Sequence, residues 1–220
     1  MSNTDALKNI AGTIVLAGAG KMGGAMLTGW LAGGLDAGRV VVVEPHPSED
    51  IKALVAKGVR LNPKEAITAE TLVLAVKPQT FPEAGPLLKP FVGPSTLVVS
   101  IMAGTTVSAI EKTCGGMVVR AMPNTPAAIG RGITVCCPGP GVSAAQRALA
   151  DSLLKTVGQV AWVEDESLID NARTIGNWLR ERAVAIGLPR PDGKNRIVIV
   201  KPRLPPQIKR WMGIEDLQPA

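Results

Sequence analysis

The sequence has no tyrosine, two phenylalanines and four tryptophans, so aromatic residues make up only 3% of its 220 positions. With 46% hydrophobic residues it can still bury a sizeable core, but that core must be mostly aliphatic. Aliphatic runs of this kind favour a buried parallel sheet over an aromatic-rich sandwich. Histidine is present once, and the three cysteines, Cys114, Cys136 and Cys137, match no zinc-ligand spacing, which argues against a metal site. An odd number of cysteines without a pairing framework reads as reduced, buried thiols. No apolar run approaches the ~20 residues that cross a bilayer, and the start lacks a signal-peptide pattern. The expectation is a cytoplasmic chain with no membrane partner, made of one domain or one domain with an appendage.

The net charge of +6 is unevenly placed. The segment 171–220 holds ten of the 24 Lys/Arg and four of the 18 Asp/Glu, which leaves a neutral body with 14 of each. A nucleic-acid footprint on the body is therefore not supported. The same segment holds six of the 18 prolines. The chain divides by composition into residues 1–170 and a basic, proline-rich tail, 171–220.

Within the body, short apolar runs alternate with helical patterns. "TIVLAG", "VVVVEP", "TLVLAV", "TLVVSI", "MVVRAM" and "GITVCC" read as strands, and "QVAWV" as a last one. Met22, Met26, Leu27, Trp30 and Leu31 recur at helical spacing until Gly33-Gly34 stops them. Residues 48–58 predict a helix with Ile51, Leu54 and Val55 on one face. Residues 143–158 predict another, with Ser143 and Gln146 at capping-box spacing. Pro82, Pro86 and Pro90 predict a broken helix between the third and fourth strands. Alternation of this kind gives an α/β, Rossmann-like, doubly wound and mostly parallel sheet. Such sheets bind ligands outside the carboxyl ends of their strands.

"LAGAGKMGGAML" lies at the first of those ends. Gly18-x-Gly20-x-x-Gly23 has the spacing of a dinucleotide turn: one glycine for the bend, one for close approach of a pyrophosphate, one for helix–strand packing. The following helix start would direct its N–H groups at phosphate. Ala17 to Gly23 are the candidate cradle. Glu44 ends the second strand 21 residues past Gly23, where an acid can accept hydrogen bonds from the adenosine ribose and repel a 2′-phosphate. As a bare pattern the turn has a purely structural reading, and Glu44 reads equally as a polar strand end.

"GAGKMGGAMLTGWL", "LAVKPQ", "VVSIMAG" and "VVRAMPNTPAAIGRGIT" follow one another in order. Together they resemble the N-terminal domain of the pyrroline-5-carboxylate reductases, from about Thr13 to Asp170. That resemblance implies NAD(P)H-dependent reduction of the cyclic imine 1-pyrroline-5-carboxylate to proline, with NADP or NAD as cofactor. By position it implies that Gly18 to Met22 hold the pyrophosphate and that Ala75, Val76, Lys77 and Pro78 line the cofactor. Ile101, Met102 and Ala103 then lie near the ribose and nicotinamide, and Pro123 and Asn124 shape the substrate corner. No catalytic acid is identified. The family homo-oligomerises through a helical domain announced by a Ser-Gly-Ser-Gly-Pro motif, and no such motif stands in 171–220. The tail is instead expected to hold one helix over 171–187 and a strand in "RIVIVKP". Its origin has three readings: a shifted reading frame, a diverged ending, or a docking module.

Overall fold

In the computed structural model the described residues are 7–169. The expected tail helix and tail strand lie outside them, as does any test of the boundary at 170. One eight-stranded sheet organises the described chain. Its strands are β1 (Ile14–Ala17), β2 (Val40–Val43), β3 (Arg60–Leu61), β4 (Thr71–Leu74), β5 (Leu97–Ser100), β6 (Met117–Met122), β7 (Gly132–Pro138) and β8 (Gly158–Trp162). They lie in the order β3-β2-β1-β4-β5-β6-β7-β8. All pairs are parallel except β6 with β7. The chain leaves β1 toward β2 on one side and returns to β4 on the other, which is the topological switch of a doubly wound sheet. The expected α/β Rossmann-like architecture is the observed one.

Alternate residues of each strand face opposite layers. Ile14, Leu16, Val40, Val42, Val73, Leu97 and Val99 belong to one buried cluster with Met26, Leu27 and Trp30 of helix α1 (Lys21–Ala32). Ala150, Leu153 and Leu154 of α5 (Ala144–Lys155) join the same cluster. Val15, Ala17, Val41, Leu72, Leu74, Val98 and Val118 face the other layer. There they meet Phe81 and Leu88 of α3 (Phe81–Leu88) and Ile110 and Cys114 of α4 (Val107–Cys114). Apolar burial on both faces is why these strands read as continuous aliphatic runs. Trp30 donates its indole N–H to the Leu153 carbonyl at 2.9 Å, tying α1 to α5 without an unpaired polar atom.

Two expected elements differ. The helix after β2 is α-helical only over α2 (Glu49–Ala53) and tightens to a 3-10 turn at Leu54–Lys57. The tighter turn rotates Val55 off the buried face, and it is 48% exposed. The proline-spaced segment is interrupted at its ends rather than at Pro86: α3 runs through Pro86, and 3-10 turns at Pro78–Thr80 and Lys89–Phe91, the second holding Pro90, flank it. Pro82 is at the helix start, where no N–H is needed. Pro86 and Pro82, whose carbonyl loses its i+4 donor, are both exposed.

Candidate functional site

Parallel register brings three distant segments level. Ala17 pairs with Leu74, and Leu74 with Ser100, so the residues that follow, Gly18, Ala75 and Ile101, line up across β1, β4 and β5. Backbone bonds continue the alignment past the strand ends. Ala75 N–H donates to the Ala17 carbonyl at 2.8 Å, and Ile101 N–H to the Leu74 carbonyl at 3.0 Å. Pro123 and Asn124 leave the same edge from β6. The segments 18–23, 75–78, 101–103 and 123–124 therefore share one rim.

The glycines of the first segment have separate jobs. Gly18 has φ +92°, and a Cβ there would lie 2.7 Å from the Ala75 carbonyl. Gly23 sits so close to the Gly18 carbonyl oxygen that a Cβ would collide with it. Both are required by the turn itself. Gly20 is different: it caps α1 in extended conformation, and a Cβ there would meet nothing within 4 Å. The fold does not need glycine at 20, and open space lies before it. Lys21 and Met22 begin α1, whose first-turn N–H groups have no intrahelical acceptor. An open approach to unspent N–H donors at a helix start fits the pyrophosphate of NAD(P).

Glu44 stands beside this turn. Its Oε2 accepts from Ala19 N–H at 2.9 Å and its Oε1 from His46 N–H at 3.0 Å. Asn62 grips the backbone of the same residue. Its Oδ1 accepts from Glu44 N–H at 2.9 Å, and its Nδ2 donates to the Glu44 carbonyl at 2.8 Å. Among the described residues, Asn62 is the non-glycine residue with positive φ, +47°, a conformation asparagine tolerates better than most. The sequence reading missed it. The available signal was an asparagine between the short run Val59-Arg60-Leu61 and Pro63.

Other expected residues divide. Lys77 is exposed, and its carbonyl accepts from Thr80 N–H and Oγ1, which fixes the Val76–Pro78 bend. Ala17 and Met102 are 1% exposed and belong to the core. Met102 reaches the rim through its backbone, whose N–H donates to Ser100 Oγ at 3.3 Å. Asn124 uses its Oδ1 to accept from Ile133 N–H at 2.9 Å, bridging the turn between β6 and β7. That bond sets which end of the amide is the oxygen and leaves Nδ2 as a donor for a partner.

Below this rim, Glu166 Oε1 accepts from Val107 N–H at 2.8 Å and from Arg120 Nη1 at 3.1 Å. Arg120 is 1% exposed. This carboxylate joins the segment after β8 to the start of α4 and to β6. Ile169 then packs with Met122, Val135, Cys137 and Val163, against Ala103. The last described residue thus lies at the 101–103 corner. The cysteines are free and buried. Burial pushes the Cys114 thiol up to about 11, and raises Cys136 and Cys137 as well.

Residues 13–104 match the family model described as NADP oxidoreductase, coenzyme F420-dependent. A pyrroline-5-carboxylate reductase of Pseudomonas aeruginosa is 35% identical over 162 residues, which are 71% of this chain and 59% of that protein. One from Corynebacterium melassecola is 30% identical over 208 residues, covering 84% of this chain and 76% of the relative. The chain belongs to the pyrroline-5-carboxylate reductase family. The structure of a pyrroline-5-carboxylate reductase from Coxiella burnetii superposes with a TM-score of 0.71 at 29% identity, over 80% of this chain and 70% of that one. The chain spans about three fifths of the length of the first pyrroline-5-carboxylate reductases it matches. Among the described residues, no helix is long and apolar enough to cross a membrane, and no cluster of His, Cys, Asp and Glu could hold a metal.

Proposed function

We propose that residues 1–170 form the dinucleotide-binding domain of a pyrroline-5-carboxylate reductase, with 171–220 a separate segment. The observation that carries this reading is the open space at Gly20, on a rim shared by four segments from strand ends. In it, Gly18 to Gly23 hold the pyrophosphate, Glu44 faces the adenosine ribose, and Ala75 to Pro78 with Ile101 to Ala103 line the cofactor. When bound, NADH or NADPH supplies the hydride that reduces the imine carbon. The chain's own task is orientation. Pro123 and the bridged Asn124 hold a stiff corner, and Asn124 Nδ2 donates to a carboxylate or carboxamide placed there. Free, buried thiols support a reducing, cytoplasmic setting.

A second reading is a dinucleotide-binding module without turnover. It is favoured by the makeup of the corner: Lys77 is the one titratable side chain among residues 75–78, 101–103 and 123–124. Two measurements on the full chain separate the readings. NADH and NADPH binding is followed by fluorescence, and imine-dependent cofactor oxidation by absorbance. Binding with turnover is the expected result for the reductase. Binding without turnover selects the module, and failure to bind either dinucleotide removes both.

A further inference from the structure

We infer that Asn62 and Glu44 form a preset clamp that selects cofactors whose adenosine ribose carries a free 2′-hydroxyl, so that this chain prefers NADH to NADPH. The inference rests on the dinucleotide site proposed above and adds which dinucleotide it takes. A carboxylate is an acceptor-only group with about four lone-pair sites. In Glu44, Ala19 N–H and His46 N–H fill one site on each oxygen. Each oxygen keeps acceptor capacity, which suits the two vicinal hydroxyls of an unmodified ribose. A 2′-phosphate offers only acceptors and negative charge, and would meet this carboxylate with nothing to donate.

The segment that carries Glu44 does not itself offset that repulsion. The segment 44–50 carries Glu44, Glu49 and Asp50 against one imidazole, His46. The ammonium of Lys52 is held by Glu49 at 2.7 Å. Ser48, the one hydroxyl residue of the segment, caps α2 by accepting from Ile51 N–H. Glu44 is also hard to move aside. Its backbone N–H and carbonyl are both bonded by Asn62, which itself is anchored by its N–H to the Val42 carbonyl at 2.8 Å. Asn62 touches no cofactor in this scheme; it is a positioning residue that acts through Glu44.

The test is calorimetric binding of ADP-ribose and 2′-phospho-ADP-ribose to the full chain. These probes differ only in the 2′-phosphate and need neither the nicotinamide corner nor turnover. The native chain is expected to favour ADP-ribose by about tenfold or more. Glu44→Gln keeps the size of the side chain and removes its charge, and should bring the two affinities to within about threefold. Asn62→Gly keeps the positive φ accessible and deletes both side-chain bonds. It should lower the ratio while the melting curve stays cooperative. Equal or tighter binding of the phosphorylated probe by the native chain, or a ratio unchanged in Glu44→Gln, overturns the selectivity. A ratio unchanged in Asn62→Gly removes the role of Asn62. Failure of the native chain to bind either probe overturns the dinucleotide site itself, and the selectivity with it.

Discussion

Gly20 and Gly23 are three residues apart, and substitution should separate ligand need from fold need. At Gly23 a methyl group runs into the Gly18 carbonyl, between backbone segments that cannot yield cheaply. Gly23→Ala should cost about 1–3 kcal/mol as overpacking does. For a domain of this size that is a fall of roughly 2–12 °C in Tm. At Gly20 a side chain projects into open space, so Gly20→Val should leave Tm within about 3 °C. It should nevertheless block approach to the helix start. Loss of two charge-assisted hydrogen bonds there is worth about 3 kcal/mol, or roughly 100-fold in affinity for NADH. Paired thermal melts and NADH titrations check both statements. A Gly20→Val chain that binds like the native one would place the cofactor elsewhere. The motif spacing was legible in the sequence, but the different duties of its glycines were not. They depend on the Gly18 carbonyl and on Ala75, which arrives from a strand more than fifty residues away.

Elements whose signals are local came through the sequence intact. The capping box of α5 is one: Ser143 Oγ accepts from Gln146 N–H at 3.2 Å, and Gln146 Oε1 accepts from Ser143 N–H at 3.0 Å. Ser143→Ala should cost about 1 kcal/mol, read as a shift of about 2–4 °C in Tm. Elements that depend on partners were less legible. Val55 fits a helical face by periodicity, yet the 3-10 turn closed by Gly58 (φ +102°) turns it outward. Strand β3 is two residues long, and its pairing with β2 follows from the sheet rather than from any alternation of its own. Glu166 was invisible as a site for the same reason, since its partners are 46 and 59 positions away. Glu166→Ala takes a carboxylate from both the buried Arg120 and the start of α4. A loss on the order of 2 kcal/mol is expected, measured as a lower urea midpoint with an unchanged slope.

Across the whole molecule, a sheet with apolar residues on both faces leaves ionisable groups few buried places, and the thiols occupy three of them. The sequence predicted this burial from composition alone, because a mostly aliphatic core accepts cysteine as a small apolar residue. It did not reveal that burial makes stability depend on alkaline pH. Thiols titrate near 9.0 when exposed, whereas Cys114 is pushed up to about 11, and Cys136 and Cys137 are also raised. Below pH 9 both the native and the unfolded chain keep these protons, so the thiols' contribution to stability is fully present. Above it the unfolded chain loses protons that the native chain still holds. Stability then falls with rising pH until the native thiols titrate in their turn. For Cys114 alone the loss amounts to about 2 kcal/mol by about pH 10.5. Other groups titrate in the same range, so the informative comparison is with Cys114→Ala. Urea midpoints taken under reducing conditions between about pH 7 and 10.5 should fall more steeply for the native chain than for that variant. Parallel curves would mean that the native Cys114 thiol ionises as readily as an exposed one, and that the layer between α4 and the sheet admits water.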